Sequence, residues 1–161
     1  MSRTVIIGNS GAGKSTLALR LANERLCAHL DLDTLAWQPG LPPQRRALAD
    51  SALDIEAFLD SHRAWVIEGC YADLIELVLP QCTQLLFLNP GLDTCIEHCR
   101  ARPWEPHKYR SKQEQDANLG MLIEWVRGYE SRQDEFSLVR HRALFDGFTG
   151  DKRELTSPLS S

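Results

Sequence analysis

Residues Gly8-Asn9-Ser10-Gly11-Ala12-Gly13-Lys14-Ser15 have the types and spacing to hold a chain of phosphates. They match Gly-x-x-x-x-Gly-Lys-Ser at every fixed position. The glycines let the backbone take positive φ and turn its N–H groups inward around an anion. A helix starting near Lys14 points its positive end at the same place. Lys14 would reach β- and γ-phosphates, and the Ser15 hydroxyl would complete a Mg²⁺ shell. The expected binding set is Gly8, Ser10, Gly11, Ala12, Gly13, Lys14, Ser15 and Thr16, with ATP and Mg²⁺ as ligands and Ser15 as the metal ligand. The bland alternative, a chance Gly-rich turn, fits poorly with a β-branched strand before it and an amphipathic helix after it.

A phosphate loop by itself does not choose between switch, motor and transferase. A guanine-specific switch would carry Asn-Lys-x-Asp after a strand, and the chain has none. A motor or transporter would end an apolar strand in an acid, whereas Leu85 to Leu88 runs into Asn89-Pro90. Ligands of open α/β sheets sit outside the carboxyl ends of the strands. Three acids fall at such ends: Asp31, Asp33 and Glu68. A phosphoryl acceptor must be oriented and its proton received, which suits a carboxylate near the γ-phosphate. Asp33 is placed to face an acceptor, and Glu68 to serve the metal or the attacking group. Loop and cap roles are the competing reading for all three. Trp37 either walls an acceptor pocket or plugs the edge of the core.

Arg100, Arg102, Lys108, Arg110 and Lys112 cluster in a polar stretch interrupted by Pro103 and Pro106. Arginines on a closing lid stabilise charge on a transferring group and exclude water. The competing reading is a solvated charge run. Arg102 is the expected phosphate contact, so the candidate catalytic set is Lys14, Asp33, Glu68 and Arg102.

The elements that must position these groups follow from periodicity. Thr4-Val5-Ile6-Ile7 reads as a buried parallel strand. Leu17, Ala18, Leu21 and Ala22 mark the helix after the loop. Further strands are expected over 28–30, 64–67, 84–88 and 143–145, with a proline-rich loop over 31–43. Helices are expected over 44–61, 71–79, 92–101 and from about 119 to 139. Strands alternating with helices imply a three-layer α/β/α fold with a central, mostly parallel five-stranded sheet. One domain over 1–161 is expected, with a lid at about 102–116 and a flexible tail at about 155–161.

At 161 residues with 43% apolar and 25% charged, composition is that of an ordinary globular chain. A net charge of −4 gives no electrostatic reason to expect nucleic acid as the main partner. No apolar run is long enough to span a bilayer, and the N-terminus enters a strand directly, so a cytoplasmic protein without membrane partners is the expectation. Five cysteines, an odd and irregular set, argue against a disulfide framework. Cys95, His98 and Cys99 share a helix face, but a zinc site would need a fourth ligand. Buried or half-buried helix residues are the preferred reading.

The chain resembles adenylate-kinase-like P-loop kinases, closest to the proteins known as DNA topology modulation proteins. The likeness rests on the phosphate loop, on Leu32-Asp33-Thr34-Leu35-Ala36-Trp37-Gln38-Pro39-Gly40 and on Trp65-Val66-Ile67-Glu68-Gly69-Cys70-Tyr71. It continues through the strand to Leu88, the helix ending at Arg102, and Ile123-Glu124-Trp125-Val126-Arg127-Gly128-Tyr129. Glu68 and Cys70 stand where that family usually has Asp and Asn, and His98 where it often has a first lid arginine. The resemblance implies an ATP-dependent kinase-like fold, and it puts residues 147–150 where related kinases hold the purine. The expected activity is transfer of the γ-phosphoryl of ATP to a small nucleotide or metabolite acceptor. The alternative is a regulatory or nucleic-acid-associated NTPase with no small-molecule acceptor.

Overall fold

The computed structural model describes residues 1–39 and 44–157. Residues 40–43 of the expected loop and 158–161 of the expected tail lie outside them. In chain order the elements are β1 (Arg3–Gly8), α1 (Lys14–Arg25), β2 (Ala28–Asp31), α2 (Asp33–Ala36), β3 (Trp37–Gln38), β4 (Gln44–Arg45) and α3 (Leu48–Ser61). They continue with β5 (Trp65–Gly69), α4 (Ala72–Val78), β6 (Gln84–Leu88), α5 (Leu92–Ala101), α6 (Lys112–Arg127), α7 (Leu138–Gly147) and β7 (Asp151–Leu155). The main sheet has the order β2-β5-β1-β6-β7, and every neighbouring pair in it is parallel.

The three inner strands are apolar along most of their length because helices cover both of their faces. On one face Val5, Ile7, Ile67, Leu85 and Phe87 pack with Ile55 of α3, Leu74, Ile75 and Val78 of α4, and Leu144 of α7. On the other, Ile6, Val66, Leu86 and Leu88 pack with Leu17 and Ala18 of α1, Cys95, Ile96 and Cys99 of α5, and Ile123 and Val126 of α6. Each fully buried aliphatic side chain contributes about 1.5–3 kcal/mol. The result is the expected α/β/α sandwich around a five-stranded sheet, and the sheet is parallel throughout.

Five assignments differ from the expectations. Within the expected loop over 31–43, Asp31 ends β2 and Asp33–Ala36 form the short helix α2. Residues 143–145 are helical within α7, where His141, Leu144 and Phe145 share a face and Ser137 caps the start by accepting from the Arg140 amide. The fifth strand is instead Asp151–Leu155, a charged segment that pairs only with β6. An edge strand needs no apolar run, so nothing in its hydrophobicity announces it. Leu155 therefore ends a strand and does not begin the tail. The expected helix over 119–139 starts earlier, at a Ser111 cap on the Glu114 amide, and stops at Gly128, whose N–H turns back to the Trp125 and Val126 carbonyls. Finally, α3 begins at Leu48, because Gln44 and Arg45 pair with Gln38 and Trp37 in a short antiparallel ladder.

Candidate active site

The phosphate loop leaves β1 at Gly8 and enters α1 at Lys14. Gly11 and Gly13 carry the left-handed φ values, 82° and 100°. A Cβ on Gly11 would also collide with the Cys95 carbonyl and the Cys99 sulfur of α5. At Gly8 it would lie 2.5 Å from the Leu88 carbonyl oxygen of β6. No side chain among the described residues caps α1, and its first turn holds no acid. Its leading amides are therefore left for an anion.

The loop is braced from inside and from behind. The Ala12 amide (3.1 Å) and Lys14 Nζ (2.7 Å) both donate to the Asn9 carbonyl. Asn9 Nδ2 donates to the Val126 carbonyl at the end of α6, 3.3 Å away. His98 Nδ1, from α5, donates to the Gly11 carbonyl at 2.6 Å. His98 thus holds the loop, while Cys95 and Cys99 beside it are buried in the core.

Outside the carboxyl ends of β1, β2 and β5 lies a hollow of about 350 Å³. Ser10, Gly11, Gly13, Lys14, Ser15 and Thr16 line its loop side. Asp31, Asp33 and Glu68 face them from the strand ends, and Arg102, Glu105, His107 and Lys108 close it from the segment after α5. Nearly the whole expected set is therefore gathered here. Gly8 and Ala12 stand behind the lining, Gly8 against β6 and Ala12 in the core.

Glu68 is only 2% exposed, and both its oxygens are engaged. Oε1 accepts from the Ser15 hydroxyl at 2.9 Å, and Oε2 lies 2.8 Å from His29 Nε2, on β2. The hydrogen bond to Glu68 raises the His29 pKa above its ordinary value against the opposing effect of burial. Ser15 and Glu68 offer hard oxygen donors, the chemistry that Mg²⁺ takes, although no three acidic, histidine or cysteine side chains among the described residues are gathered closely enough to hold a metal by themselves.

Asp33 opens α2, and both of its oxygens are also bound. The Tyr71 hydroxyl donates to Oδ1 at 2.5 Å, and Lys108 Nζ donates to Oδ2 at 2.8 Å. Burial pushes the Asp33 carboxyl up, but Lys108 and Tyr71 outweigh it and hold the pKa below the ordinary value. Trp37 Nε1 donates to the Tyr71 oxygen at 2.8 Å, so Trp37 is the far end of this relay. Asp31 makes no ion pair among the described residues, and Lys108 acts on it only from a distance. Burial, with Asp33 and Glu68 beside it, pushes its pKa up to about 6. The Cys70 thiol in the same wall is pushed up to about 12 by burial and is no nucleophile.

His29, Tyr71, His98 and Lys108 are site residues to which sequence reasoning gave no specific role. Lys108 was visible only as one member of a basic cluster, and His29 only as part of a short strand over 28–30. Residues 147–150 are not at this site. They precede β7, so they lie at the amino-terminal edge of a parallel sheet, opposite the phosphate loop. There they line a second, more open hollow with Glu76, Leu79, Pro80 and Cys82.

No family model matches the chain. An uncharacterized protein of Bacillus subtilis (strain 168), YqaC, is 27% identical over 156 residues, covering 91% of this chain and 81% of that protein. A deoxyadenosine kinase from M. mycoides, solved with bound dATP, superposes with a TM-score of 0.51 at 10% identity, over 98% of this chain and 92% of the other. The shikimate kinase of Acinetobacter baumannii, solved with shikimate, covers 89% of this chain and 92% of its own, at 16% identity and a TM-score of 0.44. The chain has the P-loop kinase fold. Among the described residues no helix is long and apolar enough to cross a membrane.

Proposed function

We propose that this protein is a small P-loop kinase that transfers the γ-phosphoryl of ATP to a hydroxyl or phosphate oxygen of a small nucleotide or metabolite. The observation that carries the reading is that one hollow gathers Lys14, the uncapped start of α1, Asp33 and the Ser15–Glu68 pair. A deoxyadenosine kinase built on the same fold supports it. The resemblance to DNA topology modulation proteins points to no particular reaction, so it adds no acceptor.

Bound ATP supplies the phosphoryl group, and Mg²⁺ supplies charge neutralisation on its oxygens. The chain's own groups do the rest. Lys14 and the amides from Gly11 to Thr16 bind the phosphates. Ser15 and Glu68 are the residues that would hold the Mg²⁺. Asp33 orients the acceptor and receives its proton. Residues 102–116 act as the lid, and Arg102 closes over the transferring group while water is excluded. Arg102 is suited to this because its nearest acid, Glu105, is 3.8 Å away, too far to hold the guanidinium tightly.

Lys14→Ala is expected to lower turnover by about 10²–10³-fold with an unchanged melting temperature. Full activity in that variant overturns the mechanism. The acceptor is found by incubating labelled ATP with nucleoside monophosphates, nucleosides, sugars and small metabolites and looking for a labelled product. ATP hydrolysis with no labelled product across that panel, joined to DNA or RNA binding that weakens steeply with salt, would favour the regulatory NTPase instead.

A further inference from the structure

The segment expected to close over the site already touches it. Lys108 Nζ lies 2.8 Å from Asp33 Oδ2 and 3.1 Å from Glu105 Oε2, so one ammonium joins a strand-end acid to an acid of its own loop. The pair spans 75 positions in sequence and is only about one-third exposed. The loop has further anchors. Gln115 of α6 accepts from the Glu105 amide and donates to the Pro103 carbonyl, and Trp104 donates to the Tyr109 carbonyl. The loop is therefore an ordered strap, and Lys108 is its one direct bond to Asp33 among the described residues.

Tyr71 holds the other oxygen of Asp33. An acceptor hydroxyl seeking this carboxylate finds both oxygens engaged. Tyr71 is buried beneath the site and fixed by Trp37, whereas Lys108 sits on a long flexible stem at the solvent side. Lys108 is thus the partner that can leave.

We propose that Lys108 is a latch that holds the lid shut on Asp33 until a phosphoryl acceptor takes its place. The proposal rests on Asp33 being the acceptor carboxylate. A carboxylate bound by an ammonium is a poor base, so the latch also guards against wasteful hydrolysis. In that side reaction a water oxygen bonds to the γ-phosphorus and the bond from that phosphorus to the β,γ-bridging oxygen breaks. The water proton passes to Asp33 and then to the released phosphate, leaving ADP. With Lys108 in place, Asp33 can neither receive that proton nor position the water. Acceptor binding exchanges Lys108 off Asp33 and readies the base only when its proper substrate is present.

Two measurements test this on the whole chain. Amide hydrogen exchange over residues 102–111, with no nucleotide added, is expected to quicken about tenfold in Lys108→Met and in Asp33→Asn, as loss of a charged hydrogen bond implies. Lys108→Arg, which keeps the charge, should stay near the wild-type rate. With Mg²⁺ and ATP but no acceptor, ADP release should rise about tenfold in Lys108→Met, and Asp33→Asn should cancel the rise in the double variant. Unchanged exchange in both single variants overturns the latch, and so does, where the wild type measurably turns over ATP, a Lys108→Met protein with quickened exchange but no gain in ADP release. If exchange responds as expected while every protein, wild type included, fails to turn over ATP, the latch holds and the kinase reading fails.

Discussion

The buried His141 and the half-buried Asp31 are the two titratable groups whose displaced pKa values bear most directly on how stability varies with pH. His141 is fully buried, with Nε2 donating to the Cys70 carbonyl and Nδ1 accepting from the Tyr129 hydroxyl, both at 2.7 Å. Burial pushes its pKa down to about 4 from an ordinary 6.5. Between those values the unfolded chain takes up a proton that the folded one refuses. The contribution of His141 is therefore full above about pH 6.5 and is lost as pH falls towards 4, by roughly 3 kcal/mol at most. Asp31 works in the opposite sense, because its carboxyl is pushed up to about 6 from 3.8. The folded state keeps that proton longer, so its contribution is full below pH 3.8 and lost as pH rises to about 6. Urea unfolding across pH 4 to 7 should show a steeper loss on the acid side for Asp31→Asn and a reversed slope for His141→Gln. Parallel curves for both variants and the wild type would refute both shifts. At the same scale, Gly11→Ala should lower stability by about 1–3 kcal/mol and weaken ATP binding. Its left-handed φ and the Cys95 carbonyl both oppose a side chain there, and a calorimetric melt with an ATP titration checks both effects.

At the scale of the element, α1 ends less well than it begins. Leu26 terminates it in the left-handed region, φ 53° and ψ 50°, with its N–H on the Ala22 carbonyl. Its side chain is 92% exposed, so nothing is gained by having leucine in a position that glycine or asparagine takes without strain. Leu26→Gly should raise stability by about 0.5–1 kcal/mol, read as a higher urea midpoint at unchanged slope. The edge strand β7 is held differently. The Arg142 guanidinium of α7 grips Glu154 with two bonds, 2.7 and 2.9 Å, and Asn89 adds a third at 3.2 Å. Arg142 is more than a third exposed, so solvent screens the pair. Arg142→Ala should cost only about 1 kcal/mol globally while speeding amide exchange along β7 more than along β6.

For the molecule as a whole, the legible parts were those encoded over a few consecutive residues. β1, β5 and β6 are continuous apolar runs because helices bury both their faces, and α1 shows its spacing for the same reason. The phosphate loop is legible because a backbone cradle needs glycines at set positions, and the strand-end rule drew attention to Asp31, Asp33 and Glu68 because a parallel sheet brings its carboxyl ends to one edge. β7 was not legible, since Asp-Lys-Arg-Glu-Leu pairs on one side only and needs no apolar pattern. Nor was the placement of residues 147–150 at the far edge of the sheet, because that depended on assigning the last strand correctly. The type of fold, the phosphate-loop motif and the candidate acids were thus determined by sequence alone. The tertiary structure decided which partner each group meets: Glu68 with Ser15 and His29, Gly11 with His98, and Asp33 with Tyr71 and Lys108. Spacing along a helix or strand specifies neighbours a few residues apart, whereas these contacts form only when packing on the two faces of the sheet brings distant segments to the same carboxyl edge.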